Sequence, residues 1–291
     1  MKNQLKERIA VIDKYLDNAL PVKNNPQAEI YDAMRYSIFA GGKRLRPILM
    51  WETAKMFGCD WEDVKSFALA IEMIHTYSLI HDDLSAMDND DLRRGMPTSH
   101  IKYGEDIAIL AGDALLNKAM EVVTTNIYPK PELQIRAIRT LFESSGTEGM
   151  IGGQVVDLKS EGKNILIDEL KYIHSLKTGA LIRSACKVGA ILSGADEHEI
   201  RAIDEFALNL GIAFQIRDDV LDVTGNEHTL GKPIGSDSSM EKNTYITLCG
   251  LEKSTELVAK YSAKAKEALS VFGDKSDFLL ALTDYLVNRN S

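Results

Sequence analysis

The sequence predicts an all-α protein. Apolar residues recur three and four positions apart along almost the whole chain, which is the period of a helix buried on one face. Strand signals are absent. The chain contains 7 prolines, and none lies between Pro131 and Pro233, so proline breaks no helix in that long central stretch.

Turn and cap residues divide this pattern into separate helices. Asn25-Pro26 precedes the second helix, Gly41-Gly42 and Gly58 bound the third, and Gly95 to Pro97 follow the fourth. Farther along, Pro129-Lys-Pro131, Gly162 and Gly194 have the same role. The predicted helices span about residues 3–19, 27–40, 48–57, 61–83, 105–126, 132–145, 149–160, 167–191, 197–222, 253–271 and 276–289.

A single domain over residues 1–291 is expected, because no repeat, low-complexity tract or linker interrupts the helical pattern. A chain that is 45% hydrophobic at this length can bury a substantial core. One segment differs from the rest. Residues 223–244 carry three glycines, Pro233 and two lysines, which predicts a mobile loop directly after an acidic cluster.

Composition excludes several classes of function. The net charge of −9 argues against a nucleic-acid surface and against an anionic membrane surface. No run of 18 apolar residues predicts a spanning helix, and the first 20 residues lack the apolar stretch of a signal peptide. Cys59, Cys186 and Cys249 are widely spaced and odd in number, which favours reduced thiols and a cytoplasmic location.

Two aspartate clusters each follow a long apolar run. The first is Asp82-Asp83-Leu-Ser-Ala-Met-Asp88 and the second is Asp218-Asp219-Val-Leu-Asp222. Carboxylates at this density repel by about 4 kcal/mol per pair at 4 Å and an effective dielectric near 20. Magnesium ions and a polyanionic substrate would compensate that repulsion. Taken alone, either cluster is also compatible with a solvated helix end.

The two clusters differ in spacing. Asp218 and Asp222 are four residues apart, so they share one helix face and can reach a common ion. Asp82 and Asp88 are six apart and can do so only if the helix ends or bulges through residues 84–87.

Two cationic motifs accompany the acids and predict phosphate binding. They are Gly41-Gly42-Lys43-Arg44-Leu45-Arg46-Pro47 and Arg93-Arg94. Glycine lets the backbone approach a ligand closely, and the arginine fork matches phosphate oxygens. A basic loop that caps a helix is the alternative for the first motif, since Pro47 suits a first helical turn. His75 and His81 also suggest a His-Asp metal hydrolase, but only weakly, because magnesium prefers oxygen.

Six segments together resemble the farnesyl/geranylgeranyl diphosphate synthase family, most closely the bacterial farnesyl type. They are residues 72–100 (EMIHTYSLIHDDLSAMDNDDLRRGMPTSH), GGKRLRP, GGQVVDL, KTGALI, FQIRDDVLD and LGKPIGSD, in the family's order. The similarity covers about residues 28–289. It implies an isoprenoid synthase fold, which is a helical bundle around a central active-site cavity, and usually a homodimer.

The resemblance also implies a role for each matching residue. Asp82 and Asp88 would be ligands of two magnesium ions and Asp218 the main ligand of a third, while Asp83, Asp219 and Asp222 would act indirectly. The implied isopentenyl diphosphate pocket comprises Gly42, Lys43, Arg46, His75 and Arg94, and the implied allylic contacts are Arg93, Lys177, Thr178, Gln215 and Lys232, with Lys242 as an addition. The implied catalytic set is Asp82, Asp88, Arg93, Lys177 and Asp218. The chain departs from the commonest family pattern at Ser85, Asn89, Asn243 and Ile246.

The function these similarities imply is magnesium-dependent condensation of isopentenyl diphosphate with dimethylallyl or geranyl diphosphate. Farnesyl diphosphate is the expected product, with Tyr77 limiting its length to fifteen carbons. The 223–244 loop and the C-terminal helix are the expected lid. Three alternatives stay open: a geranylgeranyl diphosphate synthase, a class I terpene cyclase, and a non-catalytic subunit of a heteromeric synthase. The last two would lack one acid motif, and this chain has both.

Overall fold

The computed structural model of the chain describes residues 1–125, 127–224 and 243–289, and these residues form an almost entirely helical protein. The helices are α1 (Lys2–Ala19), α2 (Ala28–Phe39), α3 (Leu45–Met56), α4 (Trp61–Asp82), α5 (Ser99–Tyr103), α6 (Glu105–Thr124), α7 (Pro131–Ser145), α8 (Met150–Ser160), α9 (Ile167–Lys177), α10 (Gly179–Leu192), α11 (Glu197–Thr224), α12 (Tyr245–Ala268) and α13 (Asp277–Val287), with a 3₁₀ segment at Ser270–Ser276. The all-α prediction is confirmed.

A short hairpin corrects the expectation that strands are absent. Strand β1 (Leu92–Arg93) pairs antiparallel with β2 (Met96–Pro97), with Leu92 opposite Pro97. Arg94 and Gly95 form the two-residue turn with φ angles of 53° and 75°, as the hairpin turn type I′ requires. Strands of two residues are too short to show an alternating pattern, so periodicity does not predict them.

Several helices also differ from the prediction: α5 was not predicted, and α3 begins at Leu45 rather than near residue 48. The predicted 167–191 helix is broken at Thr178, where φ is −107° and ψ is −44°, between α9 and α10. Helix α12 begins at Tyr245 rather than near residue 253. Thr244 caps its first turn, and Gly250 kinks the helix with a φ of 78°. The kink interrupts the apolar period, and this interruption concealed the first turns of the helix.

The described chain forms two compact units. The N-terminal unit contains residues 2–48 and 64–131, and the C-terminal unit contains residues 49–63 and the described residues from 132 onward. In the N-terminal unit, α4 is buried along most of its length, including Phe67 and Ile71. In the C-terminal unit, α10 and α11 are largely buried. That the whole chain folds as a single domain stays a prediction.

Within the described residues, no helix is long and apolar enough to cross a membrane.

Candidate active site

The first acid cluster lies where α4 ends, in the N-terminal unit. The helix stops at Asp82, and the chain turns through hydrogen bonds from Leu84 N to His81 O (3.2 Å) and from Met87 N to Leu84 O (2.9 Å). The turn closes when Asp88 N donates to Asp82 O at 2.9 Å. The helix therefore ends in a turn, as the six-residue spacing required, and this turn brings the backbones of Asp82 and Asp88 together. Asn89 follows with a φ of 52°, a conformation that asparagine tolerates well.

The carboxylate of Asp83 forms an ion pair with Arg93. Its carboxylate is buried and accepts a forked contact from Arg93, with Nε 2.8 Å from each carboxylate oxygen. A second guanidinium nitrogen lies 2.5 Å from Oδ1. A bidentate pair of this kind fixes the direction of the guanidinium as well as its position. Asp83 thus holds Arg93 in place. The indirect metal contact that the resemblance implied for Asp83 stays a prediction.

The glycine pair of the basic loop allows an arginine to pack against the backbone. Gly41 and Gly42 have φ angles of 95° and 136°. A Cβ atom at Gly42 would lie 2.8 Å from a terminal nitrogen of Arg94, so a side chain there would displace this guanidinium. Arg94 also donates to the Gly41 carbonyl oxygen. Arg94 of the hairpin turn therefore contacts the basic loop at Gly41 and Gly42, and both Gly42 and Arg94 were expected to bind phosphate.

Arg44, which belongs to the same loop, connects it to the neighbouring helices. Its buried guanidinium donates to Asp13 of α1 at 2.8 Å, to Glu72 of α4 at 3.0 Å and to the Ile38 carbonyl oxygen of α2 at 2.7 Å. The residue has a φ of 46°, a conformation uncommon for arginine. One side chain thus ties three helices to the loop, and we assign Arg44 to its support.

Arg46, His75 and Arg94 form a group with surplus positive charge. Burial, and to a smaller extent the charge of Arg94, lower the pKa of Arg46 to about 10 against the opposing effect of Glu72. Burial and then the charge of Arg46 hold the pKa of His75 well below its ordinary value, so His75 is neutral at pH 7. Within the described residues, Arg46 Nε is buried without a hydrogen-bond partner. A bound anion would satisfy this group. Gly42 and Lys43 are exposed beside it.

Tyr77 lies one helical turn from the acid cluster and is only 5% exposed. Its ring meets the His81 ring edge-on at 5.8 Å between centroids. Burial, and then the charge of Asp82, raise the pKa of Tyr77 to about 12, so the side chain stays neutral. His81 in turn packs against α6, where a Cβ at Gly112 would lie 2.1 Å from its Nε2. Whether Tyr77 limits product length stays a prediction.

The second acid cluster lies near the end of α11, in the C-terminal unit. Asp219 is buried and accepts hydrogen bonds from Tyr245 N at 2.8 Å and from Gln215 Nε2 at 3.4 Å. Asp222 is buried as well. The Asp218 side chain is 43% exposed. Of the three carboxylates, Asp218 is therefore the one that a solvated ion reaches most easily.

A C-terminal arginine lies on Asp218, which the sequence did not indicate. Arg289 forms an ion pair with Asp218, and its guanidinium carbon lies 4.1 Å from the centre of the Phe214 ring. Arg217 donates to the Arg289 carbonyl oxygen at 2.5 and 3.2 Å. Three contacts with α11 thus place a cation on the carboxylate predicted to bind a metal ion.

The break between α9 and α10 carries the Lys177-Thr178 pair. Lys177 Nζ lies 2.6 Å from Asp157 Oδ2 of α8, and Thr178 Oγ1 donates to Gln215 Oε1 at 3.1 Å. Asp157 belongs to the GGQVVDL segment, so its presence near the site could have been anticipated from the motif, although its partner could not. Lys232, Lys242 and the loop at 225–242 lie outside the described residues.

The donor set fits magnesium. Asp82, Asp88 and Asp218 offer hard oxygen ligands, and a backbone hydrogen bond joins the first two residues. Among the residues described by the structure, no group of three His, Cys, Asp or Glu side chains could hold a metal ion by itself. Magnesium usually keeps several waters and is held by one or two carboxylates together with substrate phosphates.

The almost entirely helical structure has the isoprenoid synthase fold. The polyprenyl synthetase family model matches residues 27–272, and the chain belongs to that family and is a prenyltransferase. It is 46% identical over 289 residues to a geranylgeranyl diphosphate synthase of Cyanophora paradoxa, covering 99% of this chain and 96% of the relative. A farnesyl diphosphate synthase of Geobacillus stearothermophilus is 48% identical over 244 residues, covering 83% and 82%. The crystal structure of an FPP/GFPP synthase from Zymomonas mobilis superposes with a TM-score of 0.88 at 36% identity, covering 98% of each chain.

Proposed function

We propose that the protein makes farnesyl diphosphate from isopentenyl diphosphate and dimethylallyl or geranyl diphosphate. The observation that carries this proposal is the positive charge of Arg46 and Arg94 around neutral His75, in the same unit as the Asp82–Asp88 turn. Arg46 Nε is buried without a hydrogen-bond partner among the described residues, and a diphosphate would supply that partner together with negative charge for both arginines. The aspartates of the Asp82–Asp88 turn, through magnesium, and the two arginines would then both bind diphosphate substrates.

The chain's own residues account for binding. Arg46 and Arg94 would bind the isopentenyl diphosphate group, and neutral His75 would add a hydrogen bond without adding charge. Arg93, held by Asp83, and Lys177, held by Asp157, would meet the allylic diphosphate. Asp82 and Asp88 would hold two magnesium ions and Asp218 a third, which when bound neutralise charge on the leaving diphosphate.

The reaction breaks one bond and forms another. The allylic carbon–oxygen bond breaks, and the electron pair leaves with the diphosphate. The isopentenyl double bond then attacks the allylic cation to form a carbon–carbon bond, and the released diphosphate takes the proton that restores a double bond. Arginine and lysine side chains stabilise the departing charge, so no protein nucleophile is needed. The 223–244 loop and α13 would exclude water, which would otherwise trap the cation.

A geranylgeranyl product is the second candidate. The relatives of similar identity include geranylgeranyl as well as farnesyl diphosphate synthases. Buried Tyr77 supports the shorter product. Incubating the protein with magnesium, dimethylallyl diphosphate and labelled isopentenyl diphosphate, then sizing the dephosphorylated products, tests both. Mainly C15 product is expected, mainly C20 would favour the second candidate, and no product at all would refute the proposal.

We further propose a cytoplasmic homodimer. Helix α6 exposes Ile109, Leu110 and Met120 by 44%, 53% and 38%, an apolar strip that a second copy would cover. All three cysteines are free, and burial raises the pKa of the Cys186 thiol to about 12, which suits a reducing compartment. Light scattering should give about twice the mass of the 32.3 kDa chain, whereas a monomer would contradict the assembly. Fractionation of cells that produce the protein tests the location.

A further inference from the structure

The ammonium of Lys177 is held by a carboxylate from a different helix. Lys177 Nζ lies 2.6 Å from Asp157 Oδ2, and the two side chains are 24% and 27% exposed. An ion pair of this exposure contributes little to stability on average. Its geometry, however, fixes where a flexible lysine side chain points. The Asp157–Lys177 ion pair is therefore better explained by the orientation of the ammonium than by stabilisation of the contact between α8 and α9.

Backbone packing sets the distance between these two residues. Gly153 lies one turn before Asp157 on α8, and a Cβ at Gly153 would lie 2.3 Å from Lys177 N. Only glycine allows the two backbones to approach this closely. The close approach brings the end of α9 alongside the face of α8 that carries Asp157. The ion pair therefore forms between two closely packed helices.

The neighbouring residue, Thr178, is held by a different helix, α11. Its hydroxyl donates to Gln215 Oε1 of α11 at 3.1 Å, and Gln215 Nε2 donates to Asp219 Oδ1 at 3.4 Å. The helix break at Lys177-Thr178 is thus fixed by α8 through one residue and by α11 through the next. His174, one turn earlier, adds no charge at pH 7, because burial lowers its pKa to about 4.

We propose that Asp157 is a positioning residue: its carboxylate holds the Lys177 ammonium in the direction from which it meets the allylic diphosphate. This rests on the proposed function. Preset charge lowers a reaction barrier because nothing has to reorganise as charge develops on the leaving group. Asp157 itself touches no substrate, and it acts only through Lys177.

Kinetics separate positioning from binding. In Asp157→Asn, Lys177 keeps its charge but loses its direction, so kcat should fall by on the order of tenfold. The KM for the allylic substrate should not rise, because a carboxylate near an incoming diphosphate has been removed. Asp204→Asn is the matched control, because Asp204 pairs with Arg183 at 2.6 Å with side chains 22% and 35% exposed, between α10 and α11. That variant should stay within twofold of wild type.

A double-variant cycle tests whether Asp157 acts through Lys177. With Lys177→Met already in place, Asp157→Asn should cause no further loss of kcat. If Asp157→Asn alone keeps kcat within twofold of wild type, or if its loss persists in full in the Lys177→Met background, the positioning role is refuted.

Lysine acylation tests the contact even if the protein proves to have another activity. An amine in contact with a carboxylate is shielded from an acylating reagent, so Asp157→Asn should speed modification of Lys177 several-fold by mass spectrometry. Lys171, which pairs with Asp168 at 2.8 Å, is the internal reference and should not change. Absence of catalysis in the wild type would refute the proposed function alone. An unchanged acylation rate at Lys177 would refute the positioning role alone.

Discussion

Tyr77→Ala should convert the enzyme from C15 products to products of twenty carbons or more. Tyr77 is five residues before Asp82, about 7.5 Å deeper along the axis of α4. The substitution removes about seven non-hydrogen atoms, which is more than the five carbons of one isoprene unit. Because the pKa of Tyr77 is raised to about 12, the phenol is neutral and acts through its shape. The space vacated should accommodate at least one additional unit.

The same substitution will destabilise the protein. A buried aromatic replaced by alanine costs about 3–5 kcal/mol, which corresponds to a fall in Tm of roughly 5–8 °C in a chain of this size. Product analysis should therefore be run well below the new Tm. Tyr77→Phe is the matched control, because among the described residues the Tyr77 hydroxyl is buried without a hydrogen-bond partner. Its removal should be near neutral for stability and leave the products at C15.

The assay is chain-length analysis of dephosphorylated products from labelled isopentenyl diphosphate. A Tyr77→Ala enzyme that still stops at C15 would refute the reasoning, and so would a wild-type enzyme that already makes mainly C20. The end of the cavity would then have to be sought on α6, at Leu115 or Leu116.

Four further outcomes are expected. Asp82→Ala or Asp218→Ala should lower kcat by at least about 100-fold with helical circular dichroism intact, because a ligand lost to the leaving-group ions matters most in the transition state; near-normal turnover in either variant, or in wild type with excess chelator, would contradict the metal assignment. Arg46→Ala should mainly raise the KM for isopentenyl diphosphate and Lys177→Ala mainly impair the allylic substrate, whereas equal effects on both would mean that one site has been divided into two. Arg289→Ala should tighten Mg²⁺ binding a few-fold in thermal-shift titrations, since guanidinium and metal compete for Asp218; unchanged binding would show that they do not compete. Burial lowers the folded-state pKa of His174 to about 4. Its contribution to the unfolding free energy should therefore decline by on the order of 3 kcal/mol as pH falls from about 6.5 towards 4. If the unfolding free energy of a His174→Asn variant, measured by urea titration, fell with pH as steeply as that of wild type, His174 would not be the cause.

The sequence predicted the helices and their faces well, because both depend on local period and on glycine and proline. It located the end of α4 at the first acid cluster and required a turn there, and the hydrogen bond from Asp88 N to Asp82 O supplies that turn. The break at Lys177-Thr178 was recognisable as an interruption but not as two separate helices.

Contacts between distant residues were beyond local reasoning. Asp157 and Lys177 are 20 residues apart, and Asp218 and Arg289 are 71 apart, so no periodicity relates them. A helical pattern tells which face a residue occupies but not which side chain of another helix meets it. The choice of Asp218 over Asp219 came from resemblance alone. The structure adds a physical reason to prefer it, because Asp219 is committed to Tyr245 N while Asp218 is exposed.

The hairpin turn at Arg94-Gly95 has a consequence for anyone who would make this protein more robust. A left-handed conformation at φ 53° suits asparagine far better than arginine. An engineer guided by stability alone would write Asn-Gly at this turn and expect a firmer hairpin. The change would also delete the guanidinium that lies over Gly42 and reaches the Gly41 carbonyl oxygen. The backbone conformation favours asparagine at position 94, whereas anion binding requires arginine there. A screen for heat resistance that does not also measure activity would therefore select against Arg94, which is proposed to bind the substrate.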